Sequence, residues 1–417
     1  MTGRSRQMTA PAVTGCRICG GPVTEMLDLG RQPLSDAFPR PADLDGEFFY
    51  RLAVGRCADC TMVQLVEEVP RERMFHHDYP YRSSLSSVMR AHFTGTGREL
   101  LATELTRPGA FCVELGCNDG VMLRTVAAAG VRHLGFEPSA GVAELARGQG
   151  VRVRTDFFEE ETAADVLATD GPADVIYAAN TICHLPYLDS VLRGARLLLA
   201  PGGVLVFEDP YLGDILARTA FDQIYDEHFY YFTAHSVRAA AARFGLELVD
   251  VRRLPVHGGE VRYTLARAGA RTPSPAVADL LRQEREQGVT GEAALRRFAA
   301  AVARTRSELV ALLRSLREEG RTVAAYGATA KSATVTNYCG LGPELISYVC
   351  DTTPAKQGRL TPGAHIPVRP PEVFADPYPD YAVLFAWNHA EEIMAKETGF
   401  RAAGGRWIHY VPTVRVR

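Results

Sequence analysis

From residue 111 onward, short apolar runs alternate with amphipathic stretches. Phe111, Cys112 and Val113 form one run, and residues 121–129 read as a helix that ends at Gly130. Strand patterns follow at 131–137, 151–153, 173–180 and 204–209, with the helical stretch 197–200 stopped by Pro201, Gly202 and Gly203. Such alternation predicts a mostly parallel sheet that takes ligands at the carboxyl ends of its strands. The pattern returns over 322–332, 349–351, 382–388 and 407–411, which predicts a second doubly wound α/β unit. Asp351 closes the second of these strand patterns. Between the two units, residues 274–319 are rich in Arg, Glu and Ala and read as a solvated connecting helix pair. Ser274 is the expected cap there and Pro275 the first helical residue. One more helix is expected over 86–105.

The first glycine turn carries chemistry. Residues 113–120 run Val-Glu-Leu-Gly-Cys-Asn-Asp-Gly, a strand leading into a turn and a helix. Gly116 and Gly120 allow the backbone to pass under a ligand without a Cβ clash. The spacing is E-x-G-x-x-x-G, beginning at Glu114, and not the G-x-G-x-x-G that a NAD-dependent oxidoreductase would want. By itself the turn is equally that of an ordinary βα unit with a structural glycine. Glu137 ends the next strand, roughly twenty residues on, where an acid can accept both hydroxyls of a ribose. The turn resembles motif I of the S-adenosylmethionine (SAM) methyltransferases. The strand acid and the Pro-Gly-Gly turn follow in the order of that fold.

Composition narrows the class. A chain of 417 residues suggests two or three domains of roughly 100–200 residues each. A net charge of −3 argues against a nucleic-acid surface. No apolar run approaches the ~18 residues of a membrane span. Residues 1–14 carry Arg4 and Arg6 but no apolar core of a signal peptide, so they read as a frayed tail. A cytoplasmic protein is expected. Four of the nine cysteines form two C-x-x-C pairs, Cys16 with Cys19 and Cys57 with Cys60. Two such knuckles can close a tetrahedral four-thiolate zinc site that has no open position for water, hence a structural one. Four unrelated cysteines, or a redox pair lacking its βαβ context, are the alternatives.

A second cluster points to proton chemistry. Residues 224–232 gather Tyr225, Asp226, Glu227 and His228 among aromatic side chains. A carboxylate beside an imidazole is the material of a general base. The plainer reading is a satisfied histidine beside a surface acid pair. Asn180 and His184 follow the fourth strand pattern, and Tyr79 lies in an aromatic stretch, 74–84, that reads either as a lid or as a surface loop.

Taken together, CRICG with DLGRQPLSDAF, VELGCNDG, NTICHL and IYDEHFYYF resemble the sugar-nucleotide C-methyltransferases, the C-3′ enzymes that build branched deoxysugars for antibiotics. The resemblance covers nearly the whole chain and is most specific in the cysteine module and the DEHFYYF stretch. It implies an N-terminal zinc-binding module (1–75), a central SAM methyltransferase Rossmann-like domain (76–270) and a C-terminal Rossmann-like α/β domain (271–417) at whose interface the sugar nucleotide sits. The implied cofactors are SAM and one structural Zn2+, and the implied partner is a dTDP-linked 4-keto deoxysugar methylated at C3 by a monomeric enzyme. His228 is then the expected base, with Glu227 orienting it or acting as base itself. Tyr225 would donate toward the enolate oxygen, with His184 and Tyr79 in second rank. Glu114, Gly116, Asn118, Gly120, Glu137, Asp156 and Asn180 would hold SAM. Tyr326, Lys331 and Ser332 would hold the sugar nucleotide, since a helix N-terminus carrying Lys and Ser is a natural diphosphate site even without a P-loop. O- or N-methylation of a nucleotide sugar, and non-catalytic binding of both ligands, are the alternatives.

Overall fold

The computed structural model describes residues 15–74 and 82–417, apart from the Glu72 side chain. The N-terminal tail and Tyr79 lie outside the described residues. Three sheets organise the chain. The first is antiparallel, in the order β1 (Val23–Pro33), β2 (Phe49–Cys57), β3 (Val63–Leu65), β9 (Tyr230–Tyr231). Its last strand comes from the DEHFYYF stretch, so a segment far along the chain completes the cysteine module.

The central sheet contains β4 (Phe111–Leu115), β5 (Arg132–Phe136), β6 (Val153–Arg154), β7 (Ala173–Ala179), β8 (Leu199–Pro210), β10 (Leu246–Leu254) and β11 (Glu260–Arg267). The order is β10-β11-β8-β7-β4-β5-β6, with β4 to β8 parallel and the β10–β11 hairpin antiparallel on β8. All five residues of β4 are buried, the signature of a central strand covered on both faces. Two differences from the sequence reading appear here. The hairpin β10–β11, which that reading did not place, extends the sheet. The helix Leu188–Leu198 stops before Leu199, and the Pro-Gly-Gly turn falls inside β8. A register slip between Ala173 and Val175 accommodates it, because proline has no N–H for the ladder.

The third sheet runs β14 (Val368–Arg369), β13 (Val349–Cys350), β12 (Val323–Tyr326), β15 (Tyr381–Leu384), β16 (Arg406–His409), β17 (Arg415–Val416), parallel except for its last strand. The connecting helices, Pro275–Gln287 and Glu292–Glu318, are more than solvated links. They bury Leu280, Leu281, Leu295, Phe298, Val302, Leu309 and Leu313. Ser274 stands at the cap position, but its hydroxyl bonds the Asp250 carboxylate and makes no cap. Glu284, fully buried, accepts the Ala234 and His235 N–H groups at 2.7 and 3.1 Å and so caps the helix Ala234–Arg243.

The loop after β1 docks on the third unit. Arg359 donates to the Phe38 carbonyl at 3.1 Å, Leu360 N–H to Pro39 at 3.0 Å, and Lys356 to Asp36 at 3.0 Å. Glu47 accepts Gly363 N–H at 2.9 Å and pairs with His365. One apolar core runs through all three parts. Among the described residues no helix is long and apolar enough to cross a membrane.

Candidate active site

The four paired cysteines converge. Cys16 and Cys60 sulfurs lie 3.5 Å apart and those of Cys19 and Cys57 3.4 Å apart, all four within 4.8 Å of one another. Ile18, Gly21 and Cys60 aim backbone N–H groups at the Cys16, Cys19 and Cys57 sulfurs over 3.4–3.5 Å. Donors of this kind favour thiolates. The donor set therefore fits a tetrahedral ion with no open position. None of the four cysteines lines the large cavity described next.

In both α/β sheets the chain order reverses at the centre, between β4 and β7 and between β12 and β15. Ligands bind at such switch points, beyond the strand carboxyl ends. Here the two switch points share one cavity of about 530 Å³. Gly116, Asn118, Glu137, Asp156 and Asn180 line one side of it, and Tyr326, Gly327 and Lys331 another. His184, Tyr225, Glu227 and His228 lie between them. Residues spread over the last three quarters of the sequence are thus brought together.

The SAM-side residues divide. Glu137 accepts Asn118 N–H at 3.0 Å and Ser139 N–H at 2.9 Å. Burial pushes its pKa up while those donors pull it down, and each oxygen keeps a lone pair for a ligand hydroxyl. Asp156 is held by Arg154 at 2.8 Å. Asn180 has a φ of 49° and gives its N–H to Glu208 at 2.7 Å. Gly116, with φ 63°, lines the cavity, and a Cβ there would meet Thr181 Oγ1 at 2.4 Å. Gly120 and Glu114 do not line it. A Cβ on Gly120 would press on Ala146 and Val151 at 3.0 and 3.1 Å, so that glycine serves helix packing and not ligand approach. Glu114 is buried beneath the turn, where loss of water drives its pKa well up and the Leu123 N–H opposes.

On the other side, Ser332 is a correction to the sequence reading. Its hydroxyl donates to the Thr329 carbonyl at 2.5 Å, inside the first turn of the helix Ala330–Cys339, and it does not line the cavity. Lys331 does. Its Nζ has no hydrogen-bond partner among the described residues and lies 5.5 Å from the Trp387 ring centre. Burial lowers its pKa, and Asp222 and Glu260 oppose the shift. Tyr326 gives its hydroxyl proton to Glu397 at 2.7 Å.

His228 Nδ1 lies 2.8 Å from the Gln223 carbonyl oxygen, which can only accept. Nδ1 therefore carries the proton, and the Nε2 lone pair takes the Tyr225 hydroxyl at 2.8 Å. The ring is oriented by Gln223 and Tyr225, whereas the sequence reading assigned that place to Glu227. Glu227 lines the cavity in its own right and is 4% exposed. The His184 ring stacks on His228 with centroids 5.1 Å apart. Burial holds His228 well below its ordinary pKa, and His184, Lys331 and His257 add to the shift. Burial alone takes His184 down to about 3. Both rings are neutral at ordinary pH.

Several cavity residues escaped the sequence reading. Gln223 acts through its backbone carbonyl, which no side-chain pattern reveals. Asp36 and Lys356, paired at 3.0 Å, come from ends of the chain that only folding joins. Asp351 had a readable signal: it accepts Ala328 and Thr353 N–H groups, both at 2.7 Å, as Glu137 does in the central sheet.

Comparison with known proteins follows this division. Models of a zinc binding domain, a methyltransferase domain and a C-methyltransferase C-terminal domain match residues 16–75, 89–251 and 255–412. The C-methyltransferase NovU of Streptomyces niveus is 35% identical over 408 residues, 96% of either chain. The chain belongs to the SAM-dependent C-methyltransferases. The ubiquinone biosynthesis O-methyltransferase of Burkholderia thailandensis is 27% identical over 179 residues, 38% of this chain and 74% of that protein. Among solved structures, the CcbJ methyltransferase of Streptomyces caelestis covers 42% of this C-methyltransferase and 90% of its own chain, with 18% identity and a TM-score of 0.34.

Proposed function

We propose that this C-methyltransferase methylates C3 of a dTDP-linked 4-keto deoxysugar through an enolate, with one structural zinc held by Cys16, Cys19, Cys57 and Cys60. One observation supports the chemistry above all: a neutral imidazole, His228, fixed by Gln223 at Nδ1 and bonded to the Tyr225 hydroxyl at Nε2, in a cavity that two switch points share. A hydrogen on the carbon beside a ketone is weakly acidic, and its removal needs a base and a donor at the oxygen. Substrate draws the Tyr225 hydroxyl from His228 Nε2 to its ketone oxygen, which frees the Nε2 lone pair. Nε2 then takes the C3 proton as the C–H electrons move to the ketone oxygen, where Tyr225 donates to the enolate. Bound SAM supplies the electrophilic methyl that the enolate carbon takes. Glu137 holds the ribose hydroxyls, and the turn at Gly116 and Asn118 holds the remainder of that ligand. Lys331, at a helix N-terminus, holds the diphosphate. Glu227 and His184 wall the sugar and keep water from the enolate.

Product analysis tests the function. With SAM and a panel of dTDP-4-keto sugars, NMR should place the new methyl on C3. A methyl on C5, the other carbon flanking the ketone, would keep the enolate chemistry and refute the position. A methyl on oxygen or nitrogen would refute both. The two halves of the cavity are tested crosswise. Glu137→Ala should weaken SAM binding by about 1–3 kcal/mol, the range for a lost charged hydrogen bond, and leave dTDP affinity unchanged. Lys331→Ala should raise KM for the sugar nucleotide more than it alters SAM binding. Equal effects of either change on both ligands would overturn the division.

A further inference from the structure

The loop that carries Tyr225, Glu227 and His228 is anchored from outside the methyltransferase domain. At its start, Asp222 accepts the Trp387 indole N–H at 2.6 Å and the Tyr410 hydroxyl at 2.7 Å, and Thr334 donates to the Ile224 carbonyl at 2.7 Å. These anchors belong to the C-terminal unit. The remainder is held by the cysteine module. Ser35, in the loop that follows β1, gives its backbone N–H to the Asp226 carboxylate at 3.1 Å. Leu65 N–H donates to Phe229 at 3.0 Å, and Val63 and Gln64 of β3 pair with Tyr231 and Tyr230 of β9. Asp226 is 2% exposed and Ser35 1% exposed, so water does not compete for the bond between them.

We infer that Asp226 is a positioning residue: through its bond to Ser35, the cysteine module sets the geometry in which Tyr225, Glu227 and His228 meet the substrate. Asp226 stands between the cavity residues Tyr225 and Glu227 in sequence but does not itself line the cavity. A carboxylate tied to a backbone N–H in the cysteine module's loop after β1 fixes the catalytic loop at its midpoint. The Leu65 bond to Phe229 and the β9 pairing that starts at Tyr230 fix its end, one and two residues after His228. Without the midpoint bond the segment from Ile224 to Phe229 keeps its internal bonds, His228 to Gln223 and Tyr225, but loses its tie to the cysteine module, so the imidazole and phenol shift relative to the substrate. The anchor needs an acceptor oxygen for the Ser35 N–H, which a carboxylate and an amide both offer. The Ser35 hydroxyl beside it, which both donates and accepts, suits an amide as well as an acid. The glycine turn and Glu137 take no bond from β1, β2 or β3 among the hydrogen bonds described, so SAM-side binding is independent of the anchor.

This inference rests on the reading of His228 and Tyr225 as the enolising groups, and the experiment separates the two. Exchange of the substrate C3 hydrogen in D₂O, with S-adenosylhomocysteine in place of SAM, is measured for wild type, Asp226→Ala, Asp226→Asn and His228→Asn. Asp226→Ala should slow exchange by about 10²-fold, the cost of a small misplacement of reacting groups, with S-adenosylhomocysteine affinity unchanged. Asp226→Asn, which keeps the acceptor, should recover most of the rate. Wild type stripped of metal by a chelator should lose exchange yet still bind S-adenosylhomocysteine. That arm and Asp226→Asn stand even if Asp226→Ala fails to fold. Wild-type exchange in Asp226→Ala beside a slow His228→Asn would overturn the positioning role. So would an Asp226→Asn as slow as Asp226→Ala, or a loss of S-adenosylhomocysteine binding along with the metal. Wild-type exchange in His228→Asn would instead overturn the base on which the inference rests.

Discussion

His228→Asn is expected to slow C3–H exchange of a 4-keto sugar by about 10²–10⁴-fold, the usual cost of losing a general base, and Glu227→Gln to slow it less, since Glu227 lines the cavity while Gln223 orients the ring. Exchange isolates deprotonation, because S-adenosylhomocysteine fills the cofactor side without a methyl to give. The larger loss belongs to His228, whose lone pair is aimed by Gln223 and whose partner is Tyr225. The pH dependence follows from the direction of the shift. A histidine with a lowered pKa is neutral above that pKa, so it is already in its basic form at pH 6.5. Exchange should therefore show no loss near the ordinary histidine pKa as pH falls from 8 to 6. The acid limb should lie lower. Wild-type rates in both single variants would return the cluster to a structural role, and an acid limb centred on 6.5 would mean that His228 is not held neutral by burial.

Loss of the metal is expected to unfold the cysteine module. Binding of structural zinc to four deprotonated ligands is folding energy, worth about 10–16 kcal/mol in zinc-finger peptides. Here the four sulfurs tie the turn before β1 to the turn between β2 and β3. Metal analysis should give one zinc per chain. Cys57→Ser should lower thermal stability and expose the module to protease between β1 and β3. Purified protein that contains no zinc, or a Cys57→Ser variant of full stability, would refute the site. The consequence reaches further than one module, because β9, which starts two residues after His228, closes the same sheet.

Much of this was legible locally. The alternation of strands and helices, the glycine turn with its strand acid, and the paired cysteines are short-range patterns. Each is dictated by backbone sterics or by ligand chemistry within a few residues. Glu137 is an example: an acid at the end of the second strand can only be presented at the sheet's carboxyl edge, where its oxygens meet the turn. The Lys331 position was equally readable as a residue at a helix start after a glycine turn. Its neighbour Ser332 was not, since a serine at that position can either face a ligand or bond its own helix, and the rotamer that bonds Thr329 is chosen by packing.

By itself the sequence determined the elements, the two glycine turns, the two C-x-x-C pairs and the acid–histidine stretch, because each depends on neighbours along the chain. Only the tertiary structure decided which groups face one another. Gln223, and not Glu227, orients His228 because the loop folds back so that a main-chain carbonyl meets Nδ1. Asp226 meets Ser35 across 191 positions of chain, and β9 leaves the methyltransferase domain to join the cysteine module. No spacing rule foretells such pairings. They are fixed when three apolar surfaces bury one another in a common core, and the polar groups carried along must find partners away from water.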